Sequence, residues 1–212
     1  MAIAALSNFT VPLNSDQSAS SQGMLMPKLK YRYRLSFENF GVSSEVTELT
    51  KQVQDVTRPN LTFTNNIIEI YNSKINYAGK PSWENITVNL RDDVNGYVSK
   101  LVGEQNQRQF DFYEQSSSAS AGEYKFTLRI EMLDGGNGSG TPTTLEEWEI
   151  YGCYLEKTNW EKMDYKEQGP AMITLTIRYD NAVQKKTGSL SGPGIGNPTA
   201  TQKFPGGNNT LG

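Results

Sequence analysis

The side chains that most often perform chemistry in proteins are nearly missing from this chain. It contains no histidine and a single cysteine, Cys153, among its 212 residues. Histidine is the usual general base, and histidine and cysteine are the commonest zinc ligands and activated nucleophiles. Cys153 lies in an aromatic stretch, where a free cysteine usually packs as a small apolar side chain. We therefore expect no catalytic residue, no metal site and no cofactor, and we do not expect an enzyme.

Carboxylates are the remaining candidates for chemistry, namely Asp92, Asp93, Asp111 and Glu114. Two carboxylates at a suitable separation hydrolyse glycosidic bonds. Nothing in the spacing of these four residues fixes such a separation, however. Asp92 and Asp93 also precede an apolar-periodic segment, where a short acidic side chain caps the free N–H groups of a helix. The sequence favours a structural role for this set.

A basic stripe is the next candidate, formed by Lys28, Lys30, Arg32 and Arg34. In a strand these four side chains would project from one face. Beside Tyr31 and Tyr33 they could bind single-stranded nucleic acid, as OB-type barrels do. Alternatively the stripe is a solvated or subunit-contacting face, with the tyrosines buried on the other side. The sequence favours the second interpretation and leaves a single-strand nucleic-acid-binding β-barrel as the alternative function.

The charge distribution also bears on the class of protein. The net charge is −3, and residues 181–212 hold three lysines and no acid, which leaves −6 on residues 1–180. A dedicated binder of duplex DNA usually displays a concentrated basic face. No run approaches the roughly 20 apolar residues of a membrane helix, and Met1–Leu6 is too short for a signal peptide. We therefore expect neither a duplex-DNA binder nor a membrane protein.

Period-two alternation of apolar and polar residues predicts the elements that hold these side chains. It is clearest in Ile86–Leu90, Phe126–Met132 and Ile173–Tyr179, and it also marks Leu29–Leu35 and Trp148–Tyr151. Strands with one apolar face favour antiparallel sheets that are covered on one side. The sequence therefore predicts a mainly β, antiparallel sandwich or barrel.

One flanking helix is predicted from Val94, Tyr97, Val98, Leu101 and Val102, which recur at helical spacing. Residues 44–56 suit either a helix or a strand, and their Thr and Val content leads us to expect a strand or an extended loop. Gly135–Gly140 is predicted to be a loop tip.

The composition also predicts the domain boundaries. Residues 1–26 are rich in serine, and residues 187–212 hold seven glycines and three prolines. We expect a flexible N-terminal arm over 1–26, a β domain over 27–184 and a Gly/Pro-rich C-terminal arm over 185–212.

Read in order, several stretches resemble the tail tube proteins of contractile-tailed bacteriophages, a family related to the Hcp tube of type VI secretion. Together they cover roughly residues 28–184. They are Arg58–Phe63, Tyr71–Lys74, Ala78–Thr87, Arg91–Asp93, Gln105–Gln115, Tyr124–Phe126, Leu133–Gly136, Trp148–Cys153 and Tyr179–Ala182.

The resemblance implies a small antiparallel β-sandwich or barrel with one flanking helix. It also implies hexameric rings, whose inner strands join into one barrel wall and which stack into a tube. The implied partners are further copies of the chain, a tail sheath protein, a tape-measure protein and the baseplate and tail-terminator proteins. DNA would pass through the lumen without specific binding, along a wall that we expect to be acidic. The implied location is the tail of the virion, after assembly in the host cytoplasm.

The same stretches supply candidate residues for the subunit interface or the core. Aromatic residues suit either place, since they are enriched in both. The candidates are Arg58, Tyr71, Lys80, Trp83, Arg91, Asp92, Asp93, Trp148 and Tyr179.

Overall fold

A computed structural model describes residues 28–43, 46–134 and 142–185 of the chain. These residues form eleven strands and three short or medium helices. The strands are β1 (Tyr33–Glu38), β2 (Val53–Val56), β3 (Leu61–Ile70), β4 (Ser73–Trp83), β5 (Ile86–Arg91), β6 (Phe110–Asp111), β7 (Ser116–Ser117), β8 (Phe126–Leu133), β9 (Thr144–Trp160), β10 (Met172–Arg178) and β11 (Asn181–Lys185). The helices are α1 (Val46–Gln52), α2 (Tyr97–Gln109) and α3 (Ala121–Tyr124).

Seven strands form one antiparallel sheet in which β9 belongs to two halves. Half-sheet 1 has the order β1-β8-β9-β11 and uses the first part of β9. Half-sheet 2 has the order β9-β10-β5-β2 and uses the last part of β9. Strands β3 and β4 pair only with each other, as do the two-residue strands β6 and β7. The sheet therefore changes partners along a single 17-residue strand.

The core is built from the inward faces of both half-sheets together with α2. In β5 and β10, and in β8 as far as Ile130, every second residue is buried, which is the pattern of a strand covered on one face. Val98, Leu101 and Val102 of α2 belong to the same buried cluster as Leu35 and Leu175. The rings of Phe37, Phe40 and Phe126 pack together at one end of this cluster.

The predicted class is confirmed, because the described residues are mainly antiparallel strands around one core. The alternating segments Ile86–Leu90, Phe126–Met132 and Ile173–Tyr179 became β5, β8 and β10, and Trp148–Tyr151 lies inside β9. The predicted strand over Leu29–Leu35 is only partly correct, since β1 begins at Tyr33.

The prediction of a strand or loop over residues 44–56 is wrong in its first part. Val46–Gln52 is the helix α1, and only Val53–Val56 is extended. Leu49 is fully buried against the core, so its burial outweighs the strand preference of the neighbouring Thr and Val residues.

The main helix also starts later than predicted. Val94 is fully exposed and precedes α2, which begins at Tyr97 after Gly96 in the left-handed conformation. One of the two predicted acidic residues does bind the start of this helix, since the Val98 backbone N–H donates to Asp93 Oδ1 over 3.0 Å.

The predicted arm over 1–26, the loop at Gly135–Gly140 and the arm from residue 186 onward lie outside the described residues. Lys185, placed at the start of the second arm, is instead the last residue of β11. No described helix has the length and apolar character needed to cross a membrane.

Candidate subunit interface

Half-sheet 1 ends in two unpaired strand edges. β1 pairs only with β8, and β11 pairs only with β9, so each has one side without a strand partner among the described residues. An unpaired edge presents backbone N–H and C=O groups that can bind another strand. These two edges are therefore the first candidates for contact with another chain.

A third edge, the side of β9 opposite β10, is covered by the helix α2. The Gln109 side-chain amide accepts from the Leu155 N–H over 2.8 Å and donates to the Leu155 C=O over 2.9 Å. One residue of β9 is thus bonded as if a further strand were present. Thr158 is tied to the same helix by a 3.2 Å hydrogen bond to Asn106. Intramolecular bonds occupy this edge, in contrast to β1 and β11.

The β3–β4 hairpin is a second candidate surface, because it has one apolar face. Alternation and register place four apolar side chains on the same side of this two-stranded ribbon: Ile68, Ile70, Ile75 and Tyr77. Each remains about half exposed, and Tyr71 at the tip is fully exposed. A two-stranded hairpin is marginally stable in water unless something covers its apolar face. This face is suited to burial against another surface.

The opposite face of the hairpin is mainly polar and internally satisfied. Asn65 donates to Asn76 over 3.2 Å, and Lys74 forms a 2.6 Å ion pair with Glu69. Ile67 is an exposed apolar residue on that side. The hairpin is therefore amphipathic, with one face suited to water.

The outward face of half-sheet 1 carries a network of ion pairs. Arg129 contacts Glu38, Glu147 and Glu149 at 3.0–3.1 Å, and Arg34 contacts Glu131 at 2.6 Å. Lys185 completes the network through Glu149. With four glutamates and three basic residues, the face is close to neutral and slightly acidic.

Two carboxylates of this face are nearly buried and remain ionised through their partners. The hydrogen bond from Arg34 lowers the pKa of Glu131 below its ordinary value, against the opposing effect of burial. Burial alone would raise the pKa of Glu149, but hydrogen bonds from Lys185 and Tyr151 outweigh it and the pKa is lowered. Both glutamates therefore carry charge at neutral pH.

The nine interface-or-core candidates fall in different environments. Trp148 and Tyr179 are buried, and Trp83 is half-buried with its ring 5.7 Å from that of Tyr179. Arg58, Tyr71, Lys80 and Arg91 are exposed. Their assignment to an interface stays a prediction.

Asp92 and Asp93 have local partners. Asp92 accepts from Ser99 Oγ over 2.9 Å, and Asp93 accepts from the first turn of α2. Asp111 accepts from the Tyr113 and Glu114 N–H groups in a turn. Every one of these contacts is structural. The described residues contain no cluster of acidic, histidine or cysteine side chains that could hold a metal ion.

The basic stripe does not form as expected. Lys28, Lys30 and Arg32 precede β1 in non-strand conformation, with a turn at residues 30–31, and only Arg34 lies on the strand. The prediction of a strand that aligns these four basic side chains on one face is therefore wrong. Arg34 itself is committed to Glu131.

Cys153 is buried within β9, as expected for a small apolar side chain. Burial raises the pKa of its thiol to about 12, so the thiolate needed for nucleophilic chemistry is scarce at neutral pH.

Sequence reasoning missed the hairpin and its apolar face. The turn signal at Asn72-Ser73 and the adjacent Ile67-Ile68 could have indicated it, but the alternation is broken by a bulge between Phe63 and Asn65. The two open edges were expected only in general terms, without assignment to particular strands.

The fold is shared with subunits of contractile injection systems. The chain is similar to a chain of the PVC sheath–tube complex of an extracellular contractile injection system in its extended state, with a TM-score of 0.54 and 13% identity, covering 80% of this chain and 98% of that one. It is similar to a chain of the anti-feeding prophage tube-terminating cap, with a TM-score of 0.56 and 12% identity, covering 78% and 95% respectively. It is also similar to a chain of the anti-feeding prophage baseplate, with a TM-score of 0.54 and 12% identity, covering 76% of this chain and 97% of that one.

No protein-family model and no curated protein sequence matches the chain. At 12–13% identity the structural likeness establishes the fold. The resemblance to tube proteins of contractile tails is confirmed at that level.

Proposed function

We propose that this chain is the structural subunit of the tube of a contractile tail, in which copies close into hexameric rings and the rings stack. The observation that carries the proposal is that half-sheet 1 ends in two open edges, β1 and β11. Pairing of β1 from one copy with β11 of the next is a head-to-tail contact, and such a contact closes into a ring when its rotation divides a full turn. The role is structural and requires no active site.

The strand directions support this contact. Every neighbouring pair in the order β1-β8-β9-β11 is antiparallel, so β1 and β11 run in opposite directions. A β11 strand from the next copy therefore arrives antiparallel to β1. The same hydrogen-bonding pattern then continues through the contact, and the two open edges of half-sheet 1 are satisfied.

The β3–β4 hairpin supplies the second contact. Its apolar face needs cover, and a further copy of the same chain is the partner present at highest local concentration once a ring has formed. We assign the hairpin to contacts between copies that lie in successive rings. This assignment accounts for its separation from the seven-stranded sheet.

The outward face of half-sheet 1 then forms the wall of the lumen. Its four glutamates and three basic residues are paired with one another, which leaves no concentrated positive surface to hold a polyanion. Such a wall suits the passage of DNA without binding, as proposed for a phage tail in the virion. A tail sheath protein, a tape-measure protein and baseplate or terminator proteins are the partners of a tube of this kind.

The test is negative-stain electron microscopy of the purified full chain over a range of concentrations. We expect annular particles and, at high concentration, stacked rings or tubes. The double variant Ile68→Ser/Ile75→Ser should keep a folded subunit and rings but lose stacking, because it makes the apolar face of the hairpin polar. Ile67→Ser on the opposite face is the matched control and should stack normally.

The proposal fails if the concentrated, folded chain stays monomeric in sedimentation and shows no annular particle by microscopy. Stacking that survives the double variant would remove the hairpin from the contact between rings while leaving the ring itself in place.

A further inference from the structure

Tyr179 lies where the hairpin meets the sheet. It directly follows β10, its side chain is 4% exposed, and its ring packs against Trp83, the last residue of β4. The two rings are tilted by 48° with centroids 5.7 Å apart. Any shift of the base of the hairpin must therefore change the surroundings of Tyr179.

The hydroxyl group of Tyr179 is buried without a hydrogen-bond partner in the part of the chain that the structure describes. Burial, together with the neighbouring Cys153, raises the pKa of this hydroxyl to about 12, so it stays a neutral O–H donor. A buried donor that makes no bond loses its hydration without compensation. A phenylalanine would fill the same space without that cost, so the hydroxyl is unfavourable in the isolated subunit.

One carboxylate acts on this donor electrostatically without bonding to it. Glu84 follows Trp83, and its negative charge is near enough to add to the raised pKa of Tyr179. The Glu84 carboxylate is held at the start of β3 by two long hydrogen bonds of 3.3 Å, from Asn60 Nδ2 just before the strand and from Thr62 Oγ1 on it. Bonds of this length are weak and are exchanged at little cost when the base of the hairpin moves.

We infer that the Tyr179 hydroxyl is an assembly contact, which donates to an oxygen acceptor that reaches it only when the β3–β4 hairpin docks on a second copy. This inference rests on the proposed self-assembly of the chain. The acceptor is an anionic or carbonyl oxygen, supplied either by Glu84 after the base of the hairpin shifts or by the neighbouring copy. In both cases the hydroxyl is unfavourable in the monomer and favourable in the assembly.

The experiment compares Tyr179→Phe with the wild-type chain in two measurements. Thermal unfolding of the dilute monomer should show an unchanged or higher Tm, because the variant removes an unsatisfied donor. The threshold concentration for assembly, measured by light scattering and microscopy, should rise about fivefold, as expected for the loss of one hydrogen bond per subunit. Tyr113→Phe deletes an exposed hydroxyl and should change neither measurement.

A double-mutant cycle with Glu84→Gln identifies the source of the acceptor. If Glu84 is the acceptor, the effects of the two substitutions on assembly are coupled, whereas their effects on the monomer are additive. Uncoupled effects together with a raised threshold for Tyr179→Phe indicate an acceptor on the second copy. Both results support the inference.

Two results would overturn the inference about the Tyr179 hydroxyl. If Tyr179→Phe assembles at the wild-type threshold, or lowers the Tm of the monomer, the hydroxyl is not an assembly contact although the proposed function stands. If the wild-type chain itself never assembles, the proposed function fails and the inference fails with it.

Discussion

Gly152 is the residue at which β9 passes from one half-sheet to the other. Before it, β9 pairs with β11, and after it, β9 pairs with β10. Its φ of +68° lies in the left-handed region, and a Cβ at this position would stand 2.1 Å from Asp180 Oδ2. The carboxylate of Asp180 is held there by a 2.6 Å ion pair with Lys125. Both the backbone and the neighbouring side chain therefore require glycine.

Gly152→Ala should lower the free energy of unfolding by about 2–4 kcal/mol, from left-handed strain and from displacement of Asp180. Gly96→Ala is the matched control, because Gly96 has a similar φ of +72° but nothing within 4 Å of an added Cβ. That variant should lose only about 1–2 kcal/mol. Urea unfolding of the dilute monomers measures both values. Equal losses would show that the Asp180 side chain moves aside at no cost, and that its closeness to the added Cβ does not affect stability.

At the scale of elements, the sequence predicts those strands whose two faces differ in environment. Ile173, Leu175 and Ile177 are buried while Thr174 and Thr176 between them are not, so the alternation can be read directly. The same reasoning located β5 and β8. It extended the first strand too far upstream, because Leu29–Arg32 continues the alternation without forming any ladder.

The remaining elements depend on contacts that a sequence pattern does not contain. α1 is seven residues long and is fixed by the burial of Leu49, a tertiary effect. The β3–β4 hairpin has no core beneath it, so its apolar residues lack the sharp difference in burial that marks β10. For the same reason the apolar face of the hairpin was missed.

Gln109→Met should expose the third sheet edge and destabilise the subunit. The substitution keeps length and helix propensity but removes both bonds to Leu155, leaving an N–H and a C=O of β9 unsatisfied. We expect a loss of about 1–3 kcal/mol in the free energy of unfolding. Gln107→Met, on an exposed position of the same helix, removes only a long 3.4 Å hydrogen bond from the exposed Phe112 N–H and should be nearly neutral. A loss no greater than that of the control would show that water satisfies the edge equally well.

The ion-pair face of half-sheet 1 should make stability fall in acid. The pKa of Glu131 is lowered in the folded state, chiefly by the hydrogen bond from Arg34. A lowered carboxyl pKa contributes stability above the unfolded value of about 4.3, and that contribution is lost as the pH falls through the folded pKa. Monomer Tm should therefore decline below about pH 5.

Glu131→Gln tests the source of this decline. The variant should have a lower Tm at pH 7 and a flatter profile between about pH 5 and 3, since it has no carboxylate to protonate. Glu167→Gln, which changes an exposed glutamate in the segment between β9 and β10, should follow the wild-type profile. A wild-type slope in Glu131→Gln would assign the acid sensitivity to other carboxylates.

At the scale of the whole molecule, the sheet has edges of two kinds. The last part of β9 is capped by α2 within the same chain, whereas β1 and β11, like β2 at the end of half-sheet 2, each have one side without a strand partner among the described residues. The two open edges belong to the same half-sheet and run in opposite directions. In the proposed assembly a single copy carries both halves of one repeating contact, and growth by that contact ends only when a ring closes.

Cross-linking can test this contact directly. Ser36 on β1 pairs with Arg129, Arg129 pairs with Glu149, and Glu149 pairs with Val183 on β11, so one row crosses the whole half-sheet. If the proposed ring contact keeps this register, the row continues from Val183 of one copy towards Ser36 of the next. The double variant Ser36→Cys/Val183→Cys should give, with a short bis-maleimide, a ladder of covalent oligomers that ends at the hexamer. Native Cys153 is buried with a pKa of about 12 and should not react.

Each single-cysteine variant is the control and should remain monomeric on a denaturing gel, because a head-to-tail contact never brings two like edges together. Dimers from Ser36→Cys alone would instead indicate a two-fold contact in which β1 pairs with β1, and a ring built from these edges would then be impossible. A double variant that forms rings in the microscope yet gives no ladder would place the ring contact on another surface of the subunit. The ladder and its controls therefore separate the proposed edge pairing from any other route to the same particle.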